Sequence, residues 1–567
     1  MLHNKLNEVI FYTNIYFLLT IILKTDIIAL MHKSIKTLKL LLNKSKRGLY
    51  MVKWLILIIY FCSMIGIGLY CRRKIRNVDD FVLGGRGLGA WFSAFAYGTT
   101  YFSAVVFIGF SGQFGWNFGV SAFWIGIANA IIGSMLSWII LGEKTRRMTK
   151  HLKTSTMPEF FEKRYNSKSL KIASALIVFI FLIPYTASVY NGLSRLFESA
   201  FNIDYSVWII IMAVLTAAYV ILGGYMATAI NDFIQGIVML GGIIAVIVVT
   251  LYNKGGLFAS IDKLSDISDI KHHIPLGSLG SLFGPDPINL LGIAILTSLG
   301  TWGLPQMVHK FYTVKDKSSM KKGVIISTIF ALIVAGGSYF LGAFGRLYVK
   351  PGEITPEGDG NLIYDKIMPS LLQSALPEIL IGIVIVLVLS ASMSTLSSLV
   401  ITSSSTLTID LIEPATKKKF SDKKKILIIQ VFVAVFLAIS VIIALNPNAY
   451  ISTLMSISWG ALAGAFLAPF LYGLYSKKIT KPAVWASFIC GITVVVTHMV
   501  LFSLDWFPDL VEKVKGLGWK VNVLSPINAG AFAMLLGLIV VPIVSAFTKV
   551  KDKENVEQVF ECYNTND

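Results

Sequence analysis

The chain has 567 residues, 55% of them hydrophobic and only 14% charged, with a mean hydropathy of +0.71. Soluble proteins carry about 25% charged residues and a single water-facing core stops growing at roughly 250–300 residues, so a soluble enzyme, a secreted disulfide scaffold and a disordered chain are excluded. The formal net charge of +19 falls in short Lys/Arg runs between apolar segments, as in loops that obey the positive-inside rule; this argues against nucleic acid as a partner and for a polytopic protein of the lipid bilayer.

Residues 1–50 fit that plan poorly. Val9–Leu23 is short for a membrane-crossing helix, and Lys33, Lys36, Lys39, Lys44, Lys46 and Arg47 follow it. The segment is expected to be an N-terminal extension outside the core, with Met51 as the functional start. Apolar windows of 18 residues or more then predict thirteen spans, near 52–70, 89–111, 119–141, 169–193, 205–223, 228–251, 288–309, 323–348, 376–406, 426–446, 452–475, 482–503 and 527–548. With the N-terminus outside and the C-terminus in the cytoplasm, the loops after the first, third, seventh, ninth, eleventh and thirteenth spans lie inside. Those are the basic ones, with Arg72, Arg73, Lys74 and Arg76 in the first, Lys144, Arg146 and Arg147 in the second, and later His309–Lys322, Lys417–Lys425 and Lys477–Lys481. The opposite loop Pro351–Asp365 carries Glu353, Glu357 and Asp359. This charge asymmetry predicts that orientation for a multi-pass protein, and the plasma membrane is its expected location. The four cysteines have no disulfide or zinc spacing.

Two spans are interrupted. The second holds Ala96-Tyr97-Gly98-Thr99-Thr100-Tyr101-Phe102-Ser103, a small and polar stretch, and the seventh holds Thr297-Ser298-Leu299-Gly300-Thr301-Trp302-Gly303-Leu304-Pro305. Pro305 removes a backbone donor, and backbone groups freed within a bilayer are tolerated only where they line a cavity or meet a ligand. Interruptions five spans apart are the arrangement of two inverted five-helix repeats whose broken first helices meet at a central site. The expected plan is a first peripheral helix and loop at 51–88, repeats at 89–251 and 288–475, two peripheral helices at 476–550, and a cytoplasmic tail at 551–567. In the sixth span Asp232 is an ionisable group within apolar sequence, a functional candidate or a carboxylate capping a helix end.

In the ninth span, Ala391, Ser394 and Thr395 stand at i, i+3 and i+4 and share one helix face. Hydroxyls beside freed carbonyls suit an alkali cation; small residues packing between helices would give the same pattern. No G-x-x-x-x-G-K-[ST] nucleotide site and no H-E-x-x-H occurs, so neither a nucleotide partner nor an intramembrane enzyme is indicated. His272-His273 reads as a solvated loop, and Arg195 with Glu198 as a local pair.

Several ordered motifs make the chain resemble sodium:solute symporters, most of all the bacterial sodium/proline and sodium/pantothenate members. They are Asn77-Val78-Asp79-Asp80-Phe81-Val82-Leu83-Gly84-Gly85-Arg86-Gly87-Leu88-Gly89, Arg195-Leu196-Phe197-Glu198-Ser199, Gly223-Gly224 followed by Asp232 and Gln235, Gly303-Leu304-Pro305, and Met393-Ser394-Thr395-Leu396-Ser397. The likeness covers about residues 52–550. It implies an all-α, LeuT-like transporter fold of about thirteen helices that couples Na+ entry to import of a small organic solute, such as an amino acid or pantothenate, by alternating access. It also implies a sodium site made by the carbonyls of Thr99, Phe102 and Ala391 and the hydroxyls of Ser394 and Thr395, with Asp232 on the sodium pathway. Proline symporters have an Asp where this chain has Tyr101 and aromatic substrate contacts where it has Thr297 and Thr301. Tyr101, Thr297, Thr301, Trp302 and Gln306 are therefore the substrate-pocket candidates, with helix packing the other role open to Trp302. A sugar or monocarboxylate symporter, and a membrane sensor that keeps a transporter shell, are the alternatives.

Overall fold

The computed structural model describes residues 46–73, 75–269, 274–355, 362–416, 420–445, 451–504 and 506–564. Most of the expected extension 1–50, Lys74, His272-His273, Glu357, Asp359 and Lys417–Lys419 lie outside these residues. The helix of the first span begins at Lys46.

Ten described helices are long and apolar enough to cross a membrane, and Pro287–Gly303 with Pro305–Tyr312 forms an eleventh, bent by 47°. Two of the ten, Val105–Leu152 and Tyr205–Tyr252, have 48 residues. At 1.5 Å per residue each would be about 72 Å long, more than twice the ~30 Å hydrocarbon layer. Each is divided by a glycine in a conformation closed to other residues: Gly119 (φ 60°, ψ −140°) and Gly224 (φ 56°, ψ −162°). Ala90–Tyr101 precedes residues 105–118 as the first half of a broken second span. Divided in this way, the chain supplies the thirteen spanning segments that hydropathy predicts.

Burial orders them. In Glu378–Thr416 and Ile451–Tyr475, 83% of the most apolar window is inside the protein, against 22% in Trp54–Arg72, 28% in Asp422–Ala444 and 33% in each of Lys481–Phe502 and Pro526–Phe547. The ninth and eleventh spans are central, and the first, tenth, twelfth and thirteenth present apolar faces outward, as helices bathed in lipid do.

The loops after odd-numbered spans share one face. Ser155 Oγ donates to Asp79 at 2.9 Å, Arg86 Nη2 to the Thr154 carbonyl at 2.6 Å, and Arg146 Nη1 to that of Lys315 at 3.4 Å. Arg164 Nη2 donates to the Ser476 carbonyl at 2.8 Å and Asn166 Nδ2 to Asp552 at 2.6 Å. Even-numbered loops join at the other end, where Arg346 meets Asp269 at 3.1 Å and Asn289 Nδ2 donates to the Lys520 carbonyl at 3.1 Å. Thirteen crossings require this parity. Among the described residues no disulfide joins the cysteines, and Arg195 stands 3.6 Å from Glu198.

Candidate functional site

Both predicted interruptions are breaks in the backbone. Ala90–Tyr101 ends where Phe102 turns extended (φ −110°, ψ 94°), and Pro287–Gly303 ends at Leu304 (φ −80°, ψ 120°), after which Pro305 opens the next helix. The loops at one end of the two broken helices are tied together: the Leu88 amide donates to the Thr313 carbonyl at 3.2 Å and the Lys315 amide to that of Leu88 at 3.0 Å. Arg86, held at φ 53°, adds a bond from Nη1 to the Tyr312 carbonyl at 3.3 Å. That is the structural use of the glycine-rich Gly84–Gly89 motif.

The ninth span lies against the first break. Thr395 Oγ1 stands 3.0 Å from the Thr100 carbonyl oxygen, 3.1 Å from that of Ala391 and 3.4 Å from that of Thr99. Its single proton serves one of them at a time, so the other carbonyls keep lone pairs directed at the same spot. Ser394 Oγ donates to Thr99 Oγ1 at 2.8 Å and lies 3.5 Å from Thr100 Oγ1. Ser392 Oγ accepts from the Ala104 amide at 3.1 Å, across the break. Phe102 and Ala391 line one void of about 10 Å³ together with Ser103 and Ser338. Thr99, Ala391, Ser394 and Thr395 are therefore brought together, with Phe102 on the wall of the adjoining void. The cluster is neutral and oxygen-rich, the donor type that hard cations bind.

The five substrate-pocket candidates are all buried, but their polar atoms are not equally available. Tyr101 Oη donates to the Thr297 carbonyl at 2.5 Å, Thr297 Oγ1 to Ile293 of its own helix at 2.8 Å, and Thr301 Oγ1 to the carbonyls of Ser298 and Gly133 at 2.9 and 3.1 Å. Trp302 Nε1 donates to the Ile132 carbonyl at 3.0 Å, which supports its packing role. Gln306 differs: neither polar atom of its buried side-chain amide has a hydrogen-bond partner among the described residues. Buried amides without partners are rare, so Gln306 is the group with polar capacity left for a solute.

One residue escaped the sequence reading. Lys310 was expected in a basic loop, but the helix Pro305–Tyr312 carries it to 1% exposure. Its Nζ lies 3.7 Å from Asp232 Oδ2, donates to Ser398 Oγ at 2.8 Å and sits 5.0 Å from the Tyr225 ring centre. Ser398 Oγ is in turn 3.0 Å from Thr100 Oγ1. Asp232 is thus no exposed helix cap: it is fully buried, ion-paired, and joined to the oxygen cluster through Lys310, Ser398 and Thr100. The signal in the sequence is that Lys310 follows the Gly303-Leu304-Pro305 break by only five residues, because a cation so close to a broken span is a functional candidate.

Comparison with known proteins places this geometry. A sequence profile described as "Sodium:solute symporter family" matches residues 81–491, most of the chain. The chain belongs to the sodium:solute symporter family. The symporter is 29% identical over 487 residues to the osmoregulated proline transporter OpuE of Bacillus subtilis, covering 85% of this chain and 93% of that one. It is also 29% identical over 452 residues to a sodium/proline symporter of Staphylococcus aureus, covering 78% and 85%. Among solved structures, a Na+-coupled sialic acid symporter in a substrate-bound, outward-open state superposes with a TM-score of 0.65 at 16% identity, over 88% of this chain and 98% of that one. The symporter therefore has the inverted-repeat transporter fold.

Proposed function

We propose that this symporter couples inward movement of Na+ to uptake of a small organic solute of the amino-acid class, proline or a chemically related compound, across the plasma membrane of its cell. The observation that carries the reading is the meeting of Ser394 and Thr395 with the freed carbonyls at Thr99 and Thr100, beside the helical carbonyl of Ala391. Na+ replaces its hydration shell there with the carbonyls of Thr99, Phe102 and Ala391 and the hydroxyls of Ser394 and Thr395. Binding fastens the first break to the ninth span and so shapes the solute pocket, where Gln306 supplies the polar contact and Tyr101 forms part of the wall. The repeats at 89–251 and 288–475 then rock about this point, with the basic loops and the chain's C-terminal end on the cytoplasmic side and the N-terminal end outside. Proline-transporting relatives support the solute class.

The energetics suffice. A cation crossing 100 mV contributes about 2.3 kcal/mol, and a tenfold concentration gradient about 1.4 kcal/mol. One Na+ per neutral solute then sustains accumulation on the order of several hundred-fold. Coupling requires each ligand to favour the same state, so Na+ and solute raise each other's affinity by one factor.

The test is uptake of labelled proline, other amino acids, pantothenate, sugars and monocarboxylates into proteoliposomes, with and without a Na+ gradient. Na+-dependent uptake of an amino acid is expected. Ser394→Ala combined with Thr395→Ala should raise the Na+ concentration for half-maximal uptake more than tenfold, since two ligands of one ion are lost at about 1 kcal/mol or more each. An unchanged Na+ dependence in that variant overturns the site; no Na+ response with any solute overturns the function.

A further inference from the structure

Away from the ion cluster, on the face that carries the basic loops, a cavity of about 430 Å³ opens between the helix Met157–Tyr165, the start of the twelfth span, the end of the thirteenth and the tail helix Lys553–Phe560. Its charges are one-sided: Arg164, Lys481, Lys549 and Lys551 line it, against the single carboxylate of Asp552. That carboxylate already has partners, Asn166 Nδ2 at 2.6 Å and the Asn555 amide at 3.1 Å. Four cations thus converge on one carboxylate, which leaves an excess of positive charge in the cavity.

Arg164 shows that the site is built. Its side chain is fully buried, with the guanidinium carbon 4.8 Å from the Tyr165 ring centre and 5.0 Å from that of Phe560. Nε and Nη2 donate to the carbonyls of Gly473 and Ser476, each at 2.8 Å, whereas Nη1 has no hydrogen-bond partner among the described residues. A buried guanidinium N–H without an acceptor is costly, and an oxyanion in the cavity would remove that cost.

Position identifies the anion. Lys481 is the first residue of the apolar helix Lys481–Phe502, and Lys549 and Lys551 follow the last residue of Pro526–Phe547. They stand where hydrocarbon gives way to headgroups, the level of lipid phosphates. Ile479 and Val556 make part of the wall apolar, and Phe547 beside the opening is 87% exposed, suited to acyl chains. We propose that this cavity binds the phosphate of an anionic phospholipid, held by Arg164, Lys481, Lys549 and Lys551, with the lipid tails leaving along the twelfth and thirteenth spans. Basic pockets between spanning helices recognise such headgroups.

The test uses the full chain, purified in detergent. Lys549 and Lys551 are exposed and Lys481 half-buried, so Lys481→Gln, Lys549→Gln and Lys551→Gln together should leave the fold intact. Each basic residue near an anionic lipid surface is worth roughly a fivefold change in affinity. The triple variant is therefore expected to bind phosphatidylglycerol on the order of a hundred-fold more weakly in a native mass-spectrometric titration. Phosphatidylglycerol should also raise the melting temperature of the parent but not of the variant, and phosphatidylcholine should do neither. Equal binding of phosphatidylglycerol by parent and variant, or equal binding of the two lipids by the parent, overturns the site. Inorganic phosphate giving the same thermal shift without lipid overturns the lipid as occupant. None of these readouts depends on Na+ or transport, so failure here leaves the functional reading untouched.

Discussion

Lys310 and Asp232 form a buried ion pair, with side chains 1% and 0% exposed. At 3.7 Å the contact is electrostatic, and neither carboxylate oxygen has a hydrogen-bond donor among the described residues. Removing one partner of such a pair leaves a stranded charge and costs about 3–5 kcal/mol, whereas replacing both is far cheaper. Lys310→Met is therefore expected to lower the unfolding temperature sharply in detergent, and adding Asp232→Asn to recover most of the loss. Additive losses in the double variant would show that the two charges do not depend on each other.

Asp365, outside the spans, gives a second test. It is 6% exposed and accepts the Ile451 amide at 3.2 Å. Burial pushes its carboxyl up to about 6, against the opposing pull of that amide and of Arg195. A carboxyl whose folded value lies above the unfolded ~3.9 binds more protons when folded. Its contribution to stability is thus present at low pH and is lost as pH rises from about 4 to 6. The loss above that window is on the order of 3 kcal/mol. Asp365→Asn keeps an acceptor for Ile451 and removes the charge. It should melt a few degrees higher than the parent at pH 7.5, with the difference vanishing below about pH 4. A difference independent of pH would rule out titration of Asp365 as its cause.

At the scale of elements, Gly224 shows why a helix of 48 residues is two spans. Its φ of 56° and ψ of −162° lie in a region that costs other residues about 1–3 kcal/mol, and a Cβ there would come within 3.0 Å of the Phe81 carbonyl oxygen. Gly224→Ala is expected to destabilise the protein by at least that strain. Gly241→Ala, in the same helix with open space around it, should be neutral or slightly stabilising. Equal unfolding temperatures for the two variants would show that the Gly224 corner carries no strain. The span boundaries were legible because hydropathy over 18 residues needs no tertiary information, and the breaks because Gly98 and the Gly303-Leu304-Pro305 run weaken a helix wherever it sits. The far edge of the seventh span was not legible. His309 and Lys310 look like loop residues until the fold supplies Asp232 and the Tyr225 ring to receive the charge.

For the whole molecule, Ala391, Ser394 and Thr395 at i, i+3 and i+4 in the ninth span share one helix face, but spacing alone favours helix packing as the account of it. The juxtaposition with Thr99 and Thr100, nearly 300 positions away in sequence, is what supports the proposed cation site. The solute pocket was the least legible part. Whether a threonine or tryptophan keeps a free donor depends on which carbonyl it finds, and Thr297, Thr301 and Trp302 all find one in the protein whereas Gln306 does not.

The two-bond strap between Leu88 and the 313–315 loop carries a mechanical consequence. It hinges the interrupted helices to each other at the same end, so neither can tilt alone without breaking that short stretch of sheet-like pairing. Under the proposed function they swing as one leaf, so a cation seated at the first would be felt by whatever rests against the second.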